Sequence, residues 1–195
     1  MAKQQIDYAS HLKYYQDFPT EGVNFVDIIP FLQDKALLKD LTKDLGALCD
    51  SPNIAAPEAR GFLFASPMLT TCRKVSCLIP LRKKGKLPFN EGDLVNVEIE
   101  KEYGSDTVNY RLSDLAAGKK NRLRKTIKVT FFDDVLATGG TAKGIVESLN
   151  SQVVNIAGVE YKVKVTDMVF LVEIEDLKGK ELLESLCPVK SLIKI

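Results

Sequence analysis

The sequence predicts an α/β protein: a central parallel sheet flanked by helices on both faces. Segments of strand length alternate with segments of helical periodicity along most of the chain. Residues 75–81 (VSCLIPL) form a continuous apolar run, as a strand covered on both faces requires. A third observation is the passage from strand to helix through the glycine-bearing turn of residues 133–141, which is the seam of a βα unit. The 195 residues, 45% of them hydrophobic, suit one domain with its own core. Crossovers between the parallel strands should be right-handed.

In chain order, residues 8–15 read as a short amphipathic helix. Residues 18–30 (FPTEGVNFVDIIP) are rich in breakers and aromatics and read as a loop with anchored side chains. Asp34 can cap a helix that runs to about Cys49, with Leu37, Leu38, Leu41, Leu45 and Leu48 at helical spacing. Residues 53–56 form a short strand that enters a turn at 57–61. Residues 62–72 read as a helix, with Pro67 opposing a straight one. After the strand at 75–81 comes a basic loop, residues 82–93 (RKKGKLPFNEGD). Residues 94–102 and 107–112 alternate in polarity around Gly104 and predict a β-hairpin. Residues 115–128 are polar and basic, and the stretch from Lys119 to Lys128 reads as a solvated connection. A buried strand follows at 127–132, then the glycine turn, then a helix over about 140–151. Residues 163–174 form a long strand, 178–186 a helix and 189–195 a closing strand. No internal repeat is present.

Charge and composition narrow the function. Lys+Arg total 27 against 26 Asp+Glu, so no whole-protein field attracts nucleic acid or an anionic membrane, and neither is expected as a partner. The four cysteines form no CxxC pair, and three lie in apolar runs, so they are expected to be reduced. The N-terminus lacks the apolar core of a signal peptide, and no apolar run approaches the ~20 residues of a membrane span. The chain therefore reads as cytoplasmic. His11 is the only histidine. A histidine-based triad and a multi-histidine metal site are excluded, which leaves acid–base work to carboxylates, tyrosine or lysine.

The chemistry concentrates in Asp133, Asp134, Ala137, Thr138, Gly139, Gly140 and Thr141, within the string VTFFDDVLATGGT. Backbone N–H groups at such a helix N-terminus bind phosphate, the glycines permit close approach, and the threonines add hydroxyl donors. The string lacks GxxxxGK[ST], so it is not the loop of an ATPase. Two acids directly before a phosphate cradle would repel a bare phosphate. They make sense if a sugar lies between, its hydroxyls donating to the carboxylates while its 5′-phosphate rests on the turn.

That string resembles the phosphoribosyl pyrophosphate motif of the type I phosphoribosyltransferases, and further segments narrow the resemblance to the adenine enzymes. Residues 18–30 look like that family's opening loop. Glu58-Ala59-Arg60-Gly61-Phe62 resembles its pyrophosphate loop, and Arg82-Lys83-Lys84-Gly85-Lys86-Leu87-Pro88 its basic stretch. Glu102-Tyr103-Gly104 matches the end of its mobile loop. Val172-Glu173-Ile174 with Leu177-Lys178-Gly179 matches the far wall of its base pocket. The match runs in order from about Phe18 to Leu192. Three positions depart from it: Val26 stands where Arg is usual, Pro57 where Ile or Leu is commoner, and Ala65 where Gly is usual.

The resemblance implies a single type I phosphoribosyltransferase domain, with a small hood from about residues 1–33 and 174–186. It implies transfer of a phosphoribosyl group from 5-phospho-α-D-ribose 1-diphosphate to adenine, giving AMP and diphosphate. Glu102 would protonate or orient the purine, and Tyr103 would help close the site. Glu58, Ala59, Arg60, Arg82, Lys83 and Lys86 would hold pyrophosphate. The base would lie between Phe25 and Ile174 and be read by the backbone of Asn24 and Val26. Mg²⁺ would be carried mainly by the diphosphate, ribose hydroxyls and water rather than by a protein cage. A homodimer is implied as well. The alternatives are a transferase for another purine, hypoxanthine or xanthine, and a non-catalytic regulator that senses the phosphoribosyl donor.

Overall fold

The computed structural model describes residues 6–100 and 105–195 of the chain. A 3-10 turn (Ala9–His11) leads into β1 (Lys13–Tyr15), which pairs antiparallel with β2 (Phe25–Asp27) in a small separate sheet. The chain continues through α1 (Lys35–Leu48), β3 (Asn53–Pro57), α2 (Arg60–Thr71) and β4 (Cys77–Lys83). A hairpin follows, β5 (Leu94–Glu100) and β6 (Ser105–Arg111), then α3 (Leu112–Ala117) and the long β7 (Thr126–Leu136). The last part comprises α4 (Gly140–Asn150), β8 (Val153–Ile156), β9 (Val159–Glu173), α5 (Gly179–Leu183) and β10 (Val189–Lys194).

Among the described residues the main sheet has the order β10-β9-β7-β3-β4-β6-β5, with β8 paired to β9. The run from β10 to β4 is parallel; β6 joins β4 antiparallel, and β5 joins β6 antiparallel. Alternation along β7 sorts the core onto two faces. Phe131 faces one cluster with Ile145, Val146 and Leu149 of α4 and Leu115 of α3. Phe132 faces the other, with Leu41 and Leu45 of α1 and Phe64 and Met68 of α2. Each face is thus covered by helices, as the sequence pattern requires.

Local chemistry explains the boundaries. The Asp34 carboxylate accepts from the N–H groups of Ala36 at 2.8 Å and Leu37 at 3.0 Å, which starts α1 where a cap was expected. Several expectations need correction. Residues 8–15 are not a helix: Tyr14 and Tyr15 pair with Val26 and Phe25, since adjacent aromatics suit a strand better than so short a helix. The loop expected at 18–30 therefore contains β2. Residues 112–117 form α3, a short helix not expected from the polar and basic stretch that begins at Leu115, and Leu115 is buried within it. Residues 153–156 form β8, a strand that pairs along the start of β9 and that the sequence reading passed over. Pro67 lies inside α2, which runs through it to Thr71. Arg82 and Lys83 belong to the end of β4 rather than to the basic loop, and β4 is half-buried on alternate residues rather than buried on both faces.

Candidate active site

β7 carries Asp133 and Asp134 before it ends at Leu136, four residues beyond the strand end expected from its apolar run. The turn after it places Gly139 at φ +83°, a left-handed conformation that suits glycine, at the N-cap of α4. Gly139 offers no side-chain cap, so the first N–H groups of α4 have no side-chain acceptor there. They face a cavity of about 160 Å³ lined by Asp133, Ala137, Thr138, Gly139, Gly140 and Thr141. A Cβ built on Gly140 would meet no atom within 4 Å, so the space in front of it is open. One on Gly179 of α5 would stand 2.0 Å from the Ala137 carbonyl oxygen. Only glycine lets α5 pack directly under this turn.

A second cavity, of about 360 Å³, shares Asp133 and Thr141 with the first and extends to Glu58, Ala59, Arg60 and Lys83. Its far wall comes from the hairpin, through Ile99, Asp106, Thr107 and Val108. Arg60 Nε lies 2.8 Å from Asp134 Oδ2, an ion-pair contact outside hydrogen-bond direction, so that buried oxygen has no hydrogen-bond donor. Asp133 accepts from the Asp134 backbone N–H at 2.8 Å. Burial and the neighbouring Asp134 carboxylate push the Asp133 carboxyl well above the ordinary range. Glu58 behaves in the opposite way. Burial alone would raise it, but the Lys83 N–H at 2.7 Å and the Arg82 guanidinium hold it below its ordinary value. Arg82 and Glu58 thus form an ion pair on the rim, with Arg82 also over the Phe62 ring at 6.0 Å.

On the other side of Arg60 is the aromatic platform. The Arg60 guanidinium lies 5.4 Å from the Phe25 ring centroid, and Phe18 meets Phe25 edge-on at 5.2 Å. Asn24 is exposed, whereas Val26 is 6% exposed and belongs to the core cluster under α1 and α2. The position that departs from the family's Arg is therefore an interior one here. Ile174 donates its N–H to the Leu136 carbonyl at 3.0 Å, which ties it to the end of β7. Ala65, another departure, is fully buried on α2, and Pro57 lines the larger of these two cavities at the end of β3.

Most of the residues singled out from sequence thus converge on the C-terminal ends of the parallel strands, where open α/β sheets bind ligands. Lys86 does not: it is exposed in the loop after β4 and, like Arg82, Asn24, Phe25, Val26 and Ile174, lines neither cavity. Glu102 and Tyr103 lie outside the described residues. Asp106, Thr107 and Val108 were missed, although the alternation that predicted their hairpin could have marked its inner face. A larger cavity, about 790 Å³, lies between the N-terminal turn, α1 and β10, lined by Tyr8, Asp44, Leu48 and Leu192 among others. It contains neither the acid pair nor the phosphate turn. His11 packs against Phe31 and lines none of the three cavities.

Comparison with known proteins agrees with this geometry. The chain is 36% identical over 185 residues to adenine phosphoribosyltransferase of Mycoplasmopsis pulmonis, covering 94% of this chain and 95% of that protein. The solved adenine phosphoribosyltransferase of Thermoanaerobacter pseudethanolicus superposes with a TM-score of 0.76 at 32% identity, over 96% of this chain and 97% of that one. The Giardia lamblia enzyme, solved with 9-deazaadenine, gives 0.73 at 29% identity, covering 96% and 95%. No family model matches the chain.

Proposed function

The chain belongs to the adenine phosphoribosyltransferase family, and we propose that the two joined cavities at the C-terminal end of β7 are where it performs that family's reaction. The reaction transfers a phosphoribosyl group from 5-phospho-α-D-ribose 1-diphosphate to adenine and yields AMP and diphosphate. The observation that carries the assignment is the convergence of an acid pair, an uncapped helix N-terminus and two cations, Arg60 and Lys83, on adjoining cavities, with Arg82 paired to Glu58 at their rim. The 5′-phosphate rests on Thr138, Gly139, Gly140 and Thr141, whose N–H and hydroxyl groups donate to it. The ribose hydroxyls donate to Asp133 and Asp134, whose charge also favours the cationic centre that develops at C1. Arg60, Arg82 and Lys83 face the departing diphosphate, with the Ala59 backbone and Glu58 shaping that wall.

The base lies on Phe25 with Ile174 opposite. The carbonyl of Asn24 accepts from the exocyclic amine, and the N–H of Val26 donates to N1. These are backbone groups, so the buried Val26 side chain does not alter the reading. Glu102 protonates or orients the purine, and Tyr103 helps shield it; their hairpin contributes Ile99 and Thr107 to the cavity wall. The N-terminal segment through residue 33 and residues 174–186 act as the hood.

The acid pair also fits Mg²⁺ brought in on the donor. Asp133 is pushed toward protonation by burial and by its negative neighbour Asp134, and a buried oxygen of Asp134 has no hydrogen-bond donor, so both gain from cationic or hydroxyl partners. Among the described residues no cluster of three or more His, Cys, Asp or Glu could hold a metal. When bound, the ion neutralises charge on the departing diphosphate. A cytoplasmic homodimer completes the reading, and the partly exposed Leu63 and Leu69 of α2 offer an apolar face for the contact.

Calorimetric titration with donor and Mg²⁺ tests the site. Gly140→Val should keep its melting temperature, because the side chain enters open space, and should lose donor binding, because that space receives the phosphate. Unchanged donor affinity in a folded Gly140→Val protein would remove the phosphate from this turn.

A further inference from the structure

The stretch from Lys119 to Lys128 takes no part in the site, yet the structure gives it a definite form. Asn121 and Thr126 exchange backbone hydrogen bonds of 2.7 and 3.1 Å, and the Arg124 N–H donates to the Asn121 side chain at 2.9 Å. Lys125 turns the chain at φ +49°. The result is a closed tip that holds Leu123 98% exposed between Arg122 and Arg124. No acid occurs between Asp114 and Asp133. The charge is extended sideways by the strands below: Lys128 of β7 stands opposite Lys164 of β9, and Thr126 opposite Lys162. Among the described residues, none of the cations of the tip or of this ladder makes an ion pair. In a chain of net charge +1, the tip is therefore a local pole of positive charge. That pole lies at the opposite end of β7 from Asp133, about 23 Å away at a strand rise of ~3.3 Å per residue.

We propose that this tip is a docking surface for an anionic lipid bilayer, with Leu123 entering the acyl boundary and Arg122, Arg124, Lys125 and the Lys128–Lys164 pair contacting lipid phosphates. An aliphatic side chain exposed at the apex of a hydrogen-bonded cationic turn has no role in binding phosphates alone. It fits a surface that is negative outside and apolar beneath. No aromatic side chain lies in the tip to stack on bases, which disfavours single-stranded nucleic acid. This is surface binding rather than spanning: among the described residues no helix is long and apolar enough to cross a membrane. The active-site cavities, at the far end of the sheet, remain open to substrates.

Co-sedimentation with phosphatidylcholine vesicles, with and without phosphatidylserine, tests the proposal at about 0.1 M salt. The protein should bind only the phosphatidylserine vesicles. Each cation near such a surface is worth about fivefold in partitioning, so Arg122→Gln/Arg124→Gln/Lys125→Gln should weaken binding about 100-fold while AMP formation is unchanged. Leu123→Ser should weaken it about tenfold and leave its salt dependence as it was. Retained AMP formation in both variants shows that the fold is intact. Absence of binding to phosphatidylserine vesicles overturns the proposal. So does full binding by Leu123→Ser, or duplex RNA binding equally to the wild type and Leu123→Ser in place of vesicles.

Discussion

Asp133 occupies a position where its own charge is disfavoured, by burial and by Asp134 beside it. A carboxyl with a raised folded-state pKa keeps a proton that the unfolded chain has released. Folding therefore loses stability as pH climbs from the ordinary carboxylate range through the raised value, and the loss is complete above it. Asp133→Asn removes that ionisation, and its side-chain oxygen can still accept from the Asp134 N–H. Its melting temperature should exceed the wild type's at neutral pH, with the gap closing as pH falls into the ordinary carboxylate range. If Asp133 accepts from the ribose as proposed, turnover should fall, because that acceptor has lost its charge. A variant no more stable than the wild type at neutral pH would show that Asp133 carries no such cost. At this scale the sequence was informative where the chemistry is local: the acid pair and the glycine turn sit within nine residues of one another. It was silent where a role depends on a distant neighbour. Gly179 matters because of the Ala137 carbonyl, and Arg60 sits against Asp134 and Phe25 at once. No spacing along the chain encodes such contacts.

The β5–β6 hairpin is the element that most needs a test. Its inner face lines the larger of the two joined cavities proposed as the active site, and the segment joining its strands carries Glu102 and Tyr103. If Glu102 protonates or orients the purine, Glu102→Gln should lower kcat by about 10²–10⁴ while donor affinity and the thermal transition stay near wild type. Near-full kcat would make Glu102 an ordinary surface carboxylate. Elements were legible in proportion to their length and period. α1 and β9 combine a long pattern with clear neighbours, and α1 also has its Asp34 cap. β1 and β8 were not legible, because three- and four-residue strands are defined by the partner they find rather than by their own pattern. The strand end of β7 was misplaced for a related reason. Asp133 and Asp134 look like a stop signal, yet the strand carries them forward into the site, and function overrides propensity there.

For the whole molecule, the parallel sheet brings residues from β3, β4, β7 and the hairpin to one end, so that ligands rather than the chain complete the site. On the proposed reading, Mg²⁺ carried by the donor is part of that completion. Donor with Mg²⁺ should raise the melting temperature well above the value with Mg²⁺ alone, since a ligand that binds only the folded state stabilises it by mass action. A large shift with Mg²⁺ alone would indicate a protein-built metal site.

The central claim is that this site passes a phosphoribosyl group to adenine and recognises that base by the backbone at Asn24 and Val26. Adenine presents an amine donor beside an N1 acceptor, whereas hypoxanthine presents a carbonyl acceptor beside an N1–H donor. A site facing the wrong pattern can reject it by around 10⁴. The decisive measurement is kcat/KM for adenine, hypoxanthine and guanine with the donor and Mg²⁺. AMP formation with adenine preferred by a factor approaching 10⁴ is the predicted result. Comparable values for adenine and hypoxanthine, or no AMP at all, would contradict the account.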